Sequence, residues 1–105
     1  MKQYTTQEQT AKLIELGFEK PRGLADAEPS SGKWVREAYS IGELIEMLPK
    51  KMENEYGAVT ILHLVCFEGV WRVKYDGSGQ SIHIADELID ALYYMAVELK
   101  EEGVI

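Results

Sequence analysis

The middle of the chain carries the apolar pattern of a β-hairpin, over residues 57–76. Its first arm is rich in β-branched and aromatic residues and is apolar on both faces, which is typical of a buried strand at the centre of a sheet rather than at its edge. Glu68-Gly69 predicts the turn, because glycine accepts the positive φ that tight hairpin turns need. The return arm has the period of two of a strand with one apolar face. That face holds Trp71, Val73 and Tyr75, and the opposite face holds Arg72 and Lys74.

Apolar residues at three- and four-residue intervals predict a long helix over residues 85–102. Two shorter helices begin at capping boxes, in which a side chain at each end satisfies a free backbone donor. The first box is Thr5 with Glu8 or Thr6 with Gln9, and it predicts a helix at about 6–16. The second is Ser40 with Glu43, and Pro49 ends the helix that follows.

The segments between these elements carry weaker patterns. Residues 19–33 are rich in Pro, Gly and Ser, which predicts a mobile loop. Residues 34–39 predict a strand, 50–56 a loop or a helical turn, and 80–84 a short strand or a direct run into the last helix. We therefore expect a single α+β domain over residues 1–105, in the order α-β-α-β-β-α. Its antiparallel sheet has three or four strands, with the hairpin at the centre, and packs against two or three helices.

Composition narrows the possible functions. The 105 residues carry a formal net charge of −7, whereas proteins that bind nucleic acids without sequence preference need a basic surface. No direct nucleic-acid binding or association with an anionic membrane is expected. No apolar run approaches the roughly 20 residues of a membrane span. The first ten residues lack the apolar centre of a signal peptide, so we expect a cytoplasmic location.

Few residues suggest catalysis. Cys66 is the only cysteine, and its position in the apolar arm favours a packing role. His63 lies three residues away on the same strand, so the two side chains are expected on opposite faces. His83 can meet Asp86 or Glu87, although a structural histidine is the favoured interpretation. No catalytic, cofactor-binding or metal-binding residues are predicted, and the Gly-rich turn at 76–81 lacks the spacing of a nucleotide-binding loop.

Aromatic residues are numerous for this length, and surface aromatics are common in protein interfaces. The candidate partner-contact residues are Trp34, Tyr39, Trp71, Tyr93 and Tyr94. The partner is expected to be another protein or a second copy of this chain, as in a homodimer.

Three stretches together resemble a family: LIELGFEKP (13–21), YSIGELIEMLP (39–49) and ADELIDALYYMAVELKEEGVI (85–105). They resemble small uncharacterised proteins encoded in prophages and other mobile elements of gut anaerobic bacteria. The resemblance implies a mobile-element setting, and it brings neither an activity nor catalytic residues.

Three functions remain open. The leading hypothesis is a non-enzymatic accessory protein of a phage or mobile element that acts by protein–protein contact. The second is an acidic nucleic-acid mimic that inhibits a host protein, because acidic residues cluster in the last helix. The third is a small ligand-binding protein or hydrolase that uses His63, His83 or Asp76, and it requires a deep pocket that joins two of them.

Overall fold

The computed structural model describes residues 2–22, 24–28, 34–53, 56–76 and 82–105, with only the backbone described at 24–28 and 34–36. The described residues form three helices and six strands. Their order is α1 (Gln7–Glu15), β1 (Leu24–Glu28), β2 (Trp34–Glu37), α2 (Ile41–Met47), β3 (Lys51–Glu53), β4 (Val59–Phe67), β5 (Val70–Tyr75), β6 (His83–Ala85) and α3 (Leu88–Glu101).

The main sheet is antiparallel and has four strands in the order β3-β4-β5-β6. At its centre β4 and β5 form the predicted hairpin, with Phe67 opposite Val70. Both turn residues have positive φ, 52° at Glu68 and 78° at Gly69. That combination belongs to a type I′ turn, whose twist matches the twist of the two strands. The predicted α+β class and the central hairpin are confirmed.

Helix α3 covers one face of this sheet and contacts β5, β6 and α2. Its apolar stripe is fully buried at Ile89, Leu92, Met95 and Leu99. The sheet contributes its inward-pointing side chains to the same core, with Val73 fully buried and Tyr75 nearly so. The core is therefore one layer thick, between α3 and a single face of the sheet. The remaining core members are Leu13, Tyr39, Leu44, Leu48, Leu88, Ala91 and Ala96.

Several predicted boundaries need correction. A strand, β1, lies inside the stretch 19–33 that was predicted to be a loop, and it pairs with β2 in a separate two-stranded sheet. A further strand, β3, replaces the loop or helical turn predicted at 50–56 and pairs with the start of β4. Each of these strands pairs with the next strand along the chain, and neither segment is apolar enough to show a strand pattern of its own. Residues 23, 29–33, 54–55 and 77–81 lie outside the described residues, including most of the predicted turn at 76–81.

The structure shows which of the predicted capping boxes form at the helix starts. At α1 the capping box is formed by Thr6 and Gln9. This leaves Thr5 for a buried hydrogen-bond network with Thr10 and the backbone of Tyr39. At α2 the predicted box of Ser40 with Glu43 is present. The last helix begins at Leu88 because Ala85 belongs to β6, so it is three residues shorter at this end than predicted.

None of the helices in the described ranges has the length and apolar character of a membrane-spanning segment.

Candidate functional site

The sheet face that points away from α3 is the strongest candidate site, and we call it the outer face. Successive side chains of a strand point to opposite faces, so the register defines which residues it contains. Its members alternate with the inward-pointing Leu62, Leu64, Val73 and Tyr75. From β3 to β6 they are Lys51, Glu53, Val59, Ile61, His63, Val65, Phe67, Val70, Arg72, Lys74 and Ile84.

Four large apolar side chains form a row along β4 on this face. The exposed fractions are 59% for Val59, 54% for Ile61, 39% for Val65 and 58% for Phe67. We call these four residues the apolar row. Apolar residues scattered singly over a surface are ordinary, whereas a contiguous exposed patch usually marks an interaction site. The apolar row lies along one face of one strand, where side chains recur every second residue.

The neighbouring strands give the outer face a striped character. Arg72 and Lys74 of β5 lie opposite Val65 and His63 of β4. Beyond them on β6, Ile84 lies opposite Arg72 and is 55% exposed. A basic stripe is therefore flanked by apolar side chains on both sides.

The charges of this surface are only partly paired within the chain. Asp76 Oδ1 lies 3.4 Å from Lys74 Nζ, and Asp76 Oδ2 lies 3.6 Å from His63 Nε2. These contacts place Asp76 beside the outer face. Among the described residues, Arg72 forms no ion pair. Its guanidinium is thus available to a carboxylate on a partner.

Of the aromatic residues predicted to contact a partner, Tyr94 is the most exposed, at 48%. Trp71 and Tyr93 are half-buried and pack against the core. Tyr39 is 1% exposed and its hydroxyl donates to the backbone carbonyl of Glu19, so the prediction that this ring is exposed is wrong. The side chain of Trp34 lies outside the described residues. Partner contact through Trp71, Tyr93 and Tyr94 stays a prediction.

A shallow cleft adjoins His83 on the opposite side of the sheet. His83 Nε2 lies 2.5 Å from Glu98 Oε1, which replaces the expected partners Asp86 and Glu87. The His83 ring stacks on Tyr94 at a centroid distance of 6.2 Å. A cleft of about 500 Å³ lies here, lined by His83, Tyr94, Val97, Glu98, Glu101 and Glu102. Burial, with smaller contributions from Tyr94 and Glu101, raises the pKa of the adjacent Tyr93.

The structure brings together two of the groups that the hydrolase hypothesis names, His63 and Asp76, and leaves His83 apart from them. His63 lies on the outer face, whereas His83 and Cys66 point to the helix side, as the pairs Val73–His83 and Cys66–Trp71 show. Neither the His83 cleft nor a second cleft of about 330 Å³ near Tyr39 contains His63 or Asp76. Cys66 is exposed rather than packed, as are its neighbours Val65 and Phe67 near the hairpin tip.

Acidic residues of the last helix are partly engaged within the fold. Asp90 accepts hydrogen bonds from Lys2 Nζ at 2.9 Å and Gln9 Nε2 at 2.8 Å. Glu87 accepts one from the Lys2 backbone at 2.8 Å, and Glu98 contacts His83. A nucleic-acid mimic presents its charges outward to a basic partner. The inward engagement of these carboxylates weakens that hypothesis.

Within the described ranges, no three His, Cys, Asp or Glu side chains are grouped closely enough to hold a metal ion. Comparisons with protein-family models, with curated proteins and with solved structures give no significant match to this chain.

The exposure of the apolar row was not predicted, because an apolar pattern on both faces indicates a buried central strand. A usable signal was present in the turn. A two-residue turn at Glu68-Gly69 sets Phe67 opposite Val70, and this register sets Val65 opposite Arg72. Charged residues on the same face indicate contact with water, so the register and the alternation of β5 together predict an exposed apolar row.

Proposed function

We propose that this protein is a non-enzymatic accessory protein that acts by protein–protein contact, with the outer face as its contact surface. The observation that carries the proposal is the apolar row, whose four side chains are 39–59% exposed. Exposed apolar area is unfavourable in water at roughly 25 cal/mol per Å². A partner that covers this surface therefore gains the free energy of burying it.

The shape and charge of the surface agree with this role. A sheet face presents side chains on a rigid backbone, so a partner does not have to order a loop on binding. Apolar side chains supply affinity, while Arg72 and Lys74 supply orientation through acidic groups on the partner. The proposed setting in a phage or mobile element is supported only by the resemblance of three helical stretches.

Substitution of the apolar row tests the proposal. The variant Val59→Thr/Ile61→Thr/Val65→Thr keeps β-branched residues that suit a strand, while it removes apolar area from the outer face. The matched control is Val104→Thr, which changes an apolar residue of similar exposure, 43%, outside the sheet. Proteins that co-purify with the tagged wild type should be lost from the triple variant and retained by the control.

Folding must be checked in the same experiment. Surface substitutions usually change the free energy of unfolding by less than about 0.5 kcal/mol, so all three proteins should unfold at similar temperatures. If the triple variant folds normally and retains every partner of the wild type, the outer face is not the contact surface.

The His83 cleft favours a second candidate function, the binding of a small cationic ligand. Its lining combines the Tyr94 ring with the carboxylates of Glu98, Glu101 and Glu102, and aromatic and acidic groups together suit a cation. NMR titration with small amines tests this function. Saturable shifts confined to the His83 and Tyr94 signals would support it, and unchanged spectra would exclude it.

A further inference from the structure

We infer that the outer face binds a second copy of this chain, in a two-fold symmetric dimer in which the two sheets stack face to face. This inference rests on the proposed function and names its partner. The arrangement of residues on the outer face is self-complementary, which is the requirement for an isologous interface.

The apolar row supplies the first complementary feature. His63 lies at its centre, with Val59 and Ile61 on one side and Val65 and Phe67 on the other. A two-fold axis that crosses the strands at the level of His63 reverses the direction of β4 in the second copy. Val65 then faces Ile61 of the second copy, and Phe67 faces Val59 of the second copy. Each contact occurs twice, and all of these contacts are apolar.

The charges of β5 supply the second feature. Lys74 lies opposite His63, so it shares the level of this axis. Arg72 lies two residues before Lys74, and Asp76 lies two residues after it, beside the same face. The axis that pairs the apolar row therefore also sets Arg72 of one copy near Asp76 of the other. The same axis also sets Lys74 against Lys74 of the second copy, and the ion pair of each Lys74 with Asp76 of its own copy reduces this repulsion.

The available area suits a weak dimer. Each strand residue covers roughly 16 Å² of a sheet, at about 3.3 Å along the strand and about 4.8 Å between strands. The strands β3 to β6 contain 3, 9, 6 and 3 residues. Stacked sheets thus bury on the order of 330 Å² per copy, or about 660 Å² in total, which is in the range of weak and transient interfaces. Such sheets pack about 10 Å apart with their strands within about 30° of alignment.

The net charge of the chain also favours this face. Two copies with a charge of −7 each repel one another over most of their surfaces. The outer face with Asp76 contains three basic residues and two acidic ones, so it is not acidic as the remainder of the chain is. Lys51 and Glu53 of β3 complete this set.

Sedimentation equilibrium with two charge variants tests the inference. The wild type should be a dimer at high concentration. Arg72→Asp sets its new carboxylate against Asp76 of the second copy, and Asp76→Arg sets its new guanidinium against Arg72. Each variant should therefore dimerise on the order of 100-fold more weakly than the wild type. An equimolar mixture of the two variants should form a heterodimer, because both cross-copy contacts then join a carboxylate to a guanidinium.

Thermal unfolding of each variant provides the folding control. Arg72→Asp breaks no ion pair among the described residues, whereas Asp76→Arg also removes the contacts with Lys74 and His63. If Asp76→Arg does not fold, Asp76→Asn replaces it, and its dimer should still be weaker than that of the wild type.

Three results would overturn the inference: a monomeric wild type at every concentration, unchanged dimerisation of the folded Arg72→Asp variant, or a mixture that stays monomeric. A monomeric wild type would leave the proposed function standing if the apolar-row variant still loses a different co-purifying protein. If the wild type is monomeric and the apolar-row variant also loses no co-purifying protein, the proposed function is contradicted as well.

Discussion

A buried network of hydroxyl groups joins the start of α1 to the segment between β2 and α2, and its removal has a calculable cost. The Tyr39 N–H donates to Thr5 Oγ1 at 3.0 Å, and the hydroxyls of Thr5 and Thr10 are 2.7 Å apart. Thr10 Oγ1 donates to the carbonyl of Thr6 at 2.8 Å. Because Thr10 has a single hydroxyl proton, Thr5 is the donor to Thr10. The network therefore has one direction, from Tyr39 to Thr6.

Thr5→Val preserves the shape of the side chain and removes its acceptor. Thr5 is fully buried, so the Tyr39 N–H is left without this partner in a region that water does not reach. Leaving a buried donor unsatisfied costs about 1–3 kcal/mol. Thr5→Ser keeps the hydroxyl and loses one methyl group, at a cost of about 0.8 kcal/mol. Valine should therefore be the more damaging substitution, although it is the more apolar one.

Urea and thermal denaturation of the wild type and both variants measure these differences. For a domain of about this size, 1 kcal/mol lowers the midpoint of thermal unfolding by about 4–8 °C. Thr5→Val should unfold well below Thr5→Ser. If Thr5→Val is as stable as the wild type, or more stable than Thr5→Ser, the network does not contribute as argued.

Three further predictions concern the turn, the buried phenol and the helix cap. Glu68 has a φ of 52°, so Glu68→Asn should raise the free energy of unfolding by about 0.5–1 kcal/mol in urea denaturation, and a decrease would contradict the type I′ turn. Burial raises the pKa of Tyr75 to about 12 from its ordinary value of 10.0. The folded state thus holds this proton more tightly than the unfolded state does. The contribution of Tyr75 to the free energy of unfolding should therefore be fully present below about pH 10 and be lost as the pH rises towards 12. The fall should be smaller in Tyr75→Phe, which also loses the hydrogen bond to the Pro49 carbonyl and starts from a lower stability; denaturation at several alkaline pH values checks both points. Ser40→Ala removes the hydroxyl that accepts from the Glu43 N–H, while the Ser40 N–H can still donate to the Glu43 carboxylate. The change should cost about 1 kcal/mol by thermal denaturation, whereas an unchanged midpoint would show that the hydroxyl cap adds no stability.

The elements with local signals could be predicted from the sequence. The apolar stripe of α3, the Ser40–Glu43 box and the Glu68-Gly69 turn each depend on residues within a few positions of one another. The structure contains all three. Their ends shift by a few residues where pairing intervenes, as at Ala85, which joins β6 instead of α3.

The short strands could not be predicted, because pairing with the next strand determines them and their own residues carry little apolar pattern. Residues 51–53 are two charged residues around one methionine, and they are extended because they pair with residues 59–61. The segment Leu24–Glu28 is similarly ordered against Trp34–Glu37. Neither segment has enough apolar residues to show a period of its own.

The exposure of the candidate site was not evident from the apolar pattern of β4. An apolar strand such as β4 indicates that both of its faces avoid water, but the sequence does not say what covers each face. Leu62 and Leu64 on one face of β4 pack against the core. Exposure of the apolar row then points to a partner, whereas the aromatic residues chosen from composition include Tyr39, which belongs to the core.

NMR of the methyl groups of the outer face, with a soluble paramagnetic agent, tests the central claim most directly. At low concentration the methyl signals of Ile61, Val65 and Ile84 should broaden strongly, because water and the agent reach them. At high concentration these signals should become protected, while those of Val104 should broaden equally throughout. Equal broadening of the outer-face methyl signals at all concentrations, or their protection at the lowest one, would contradict an open face that a second copy covers.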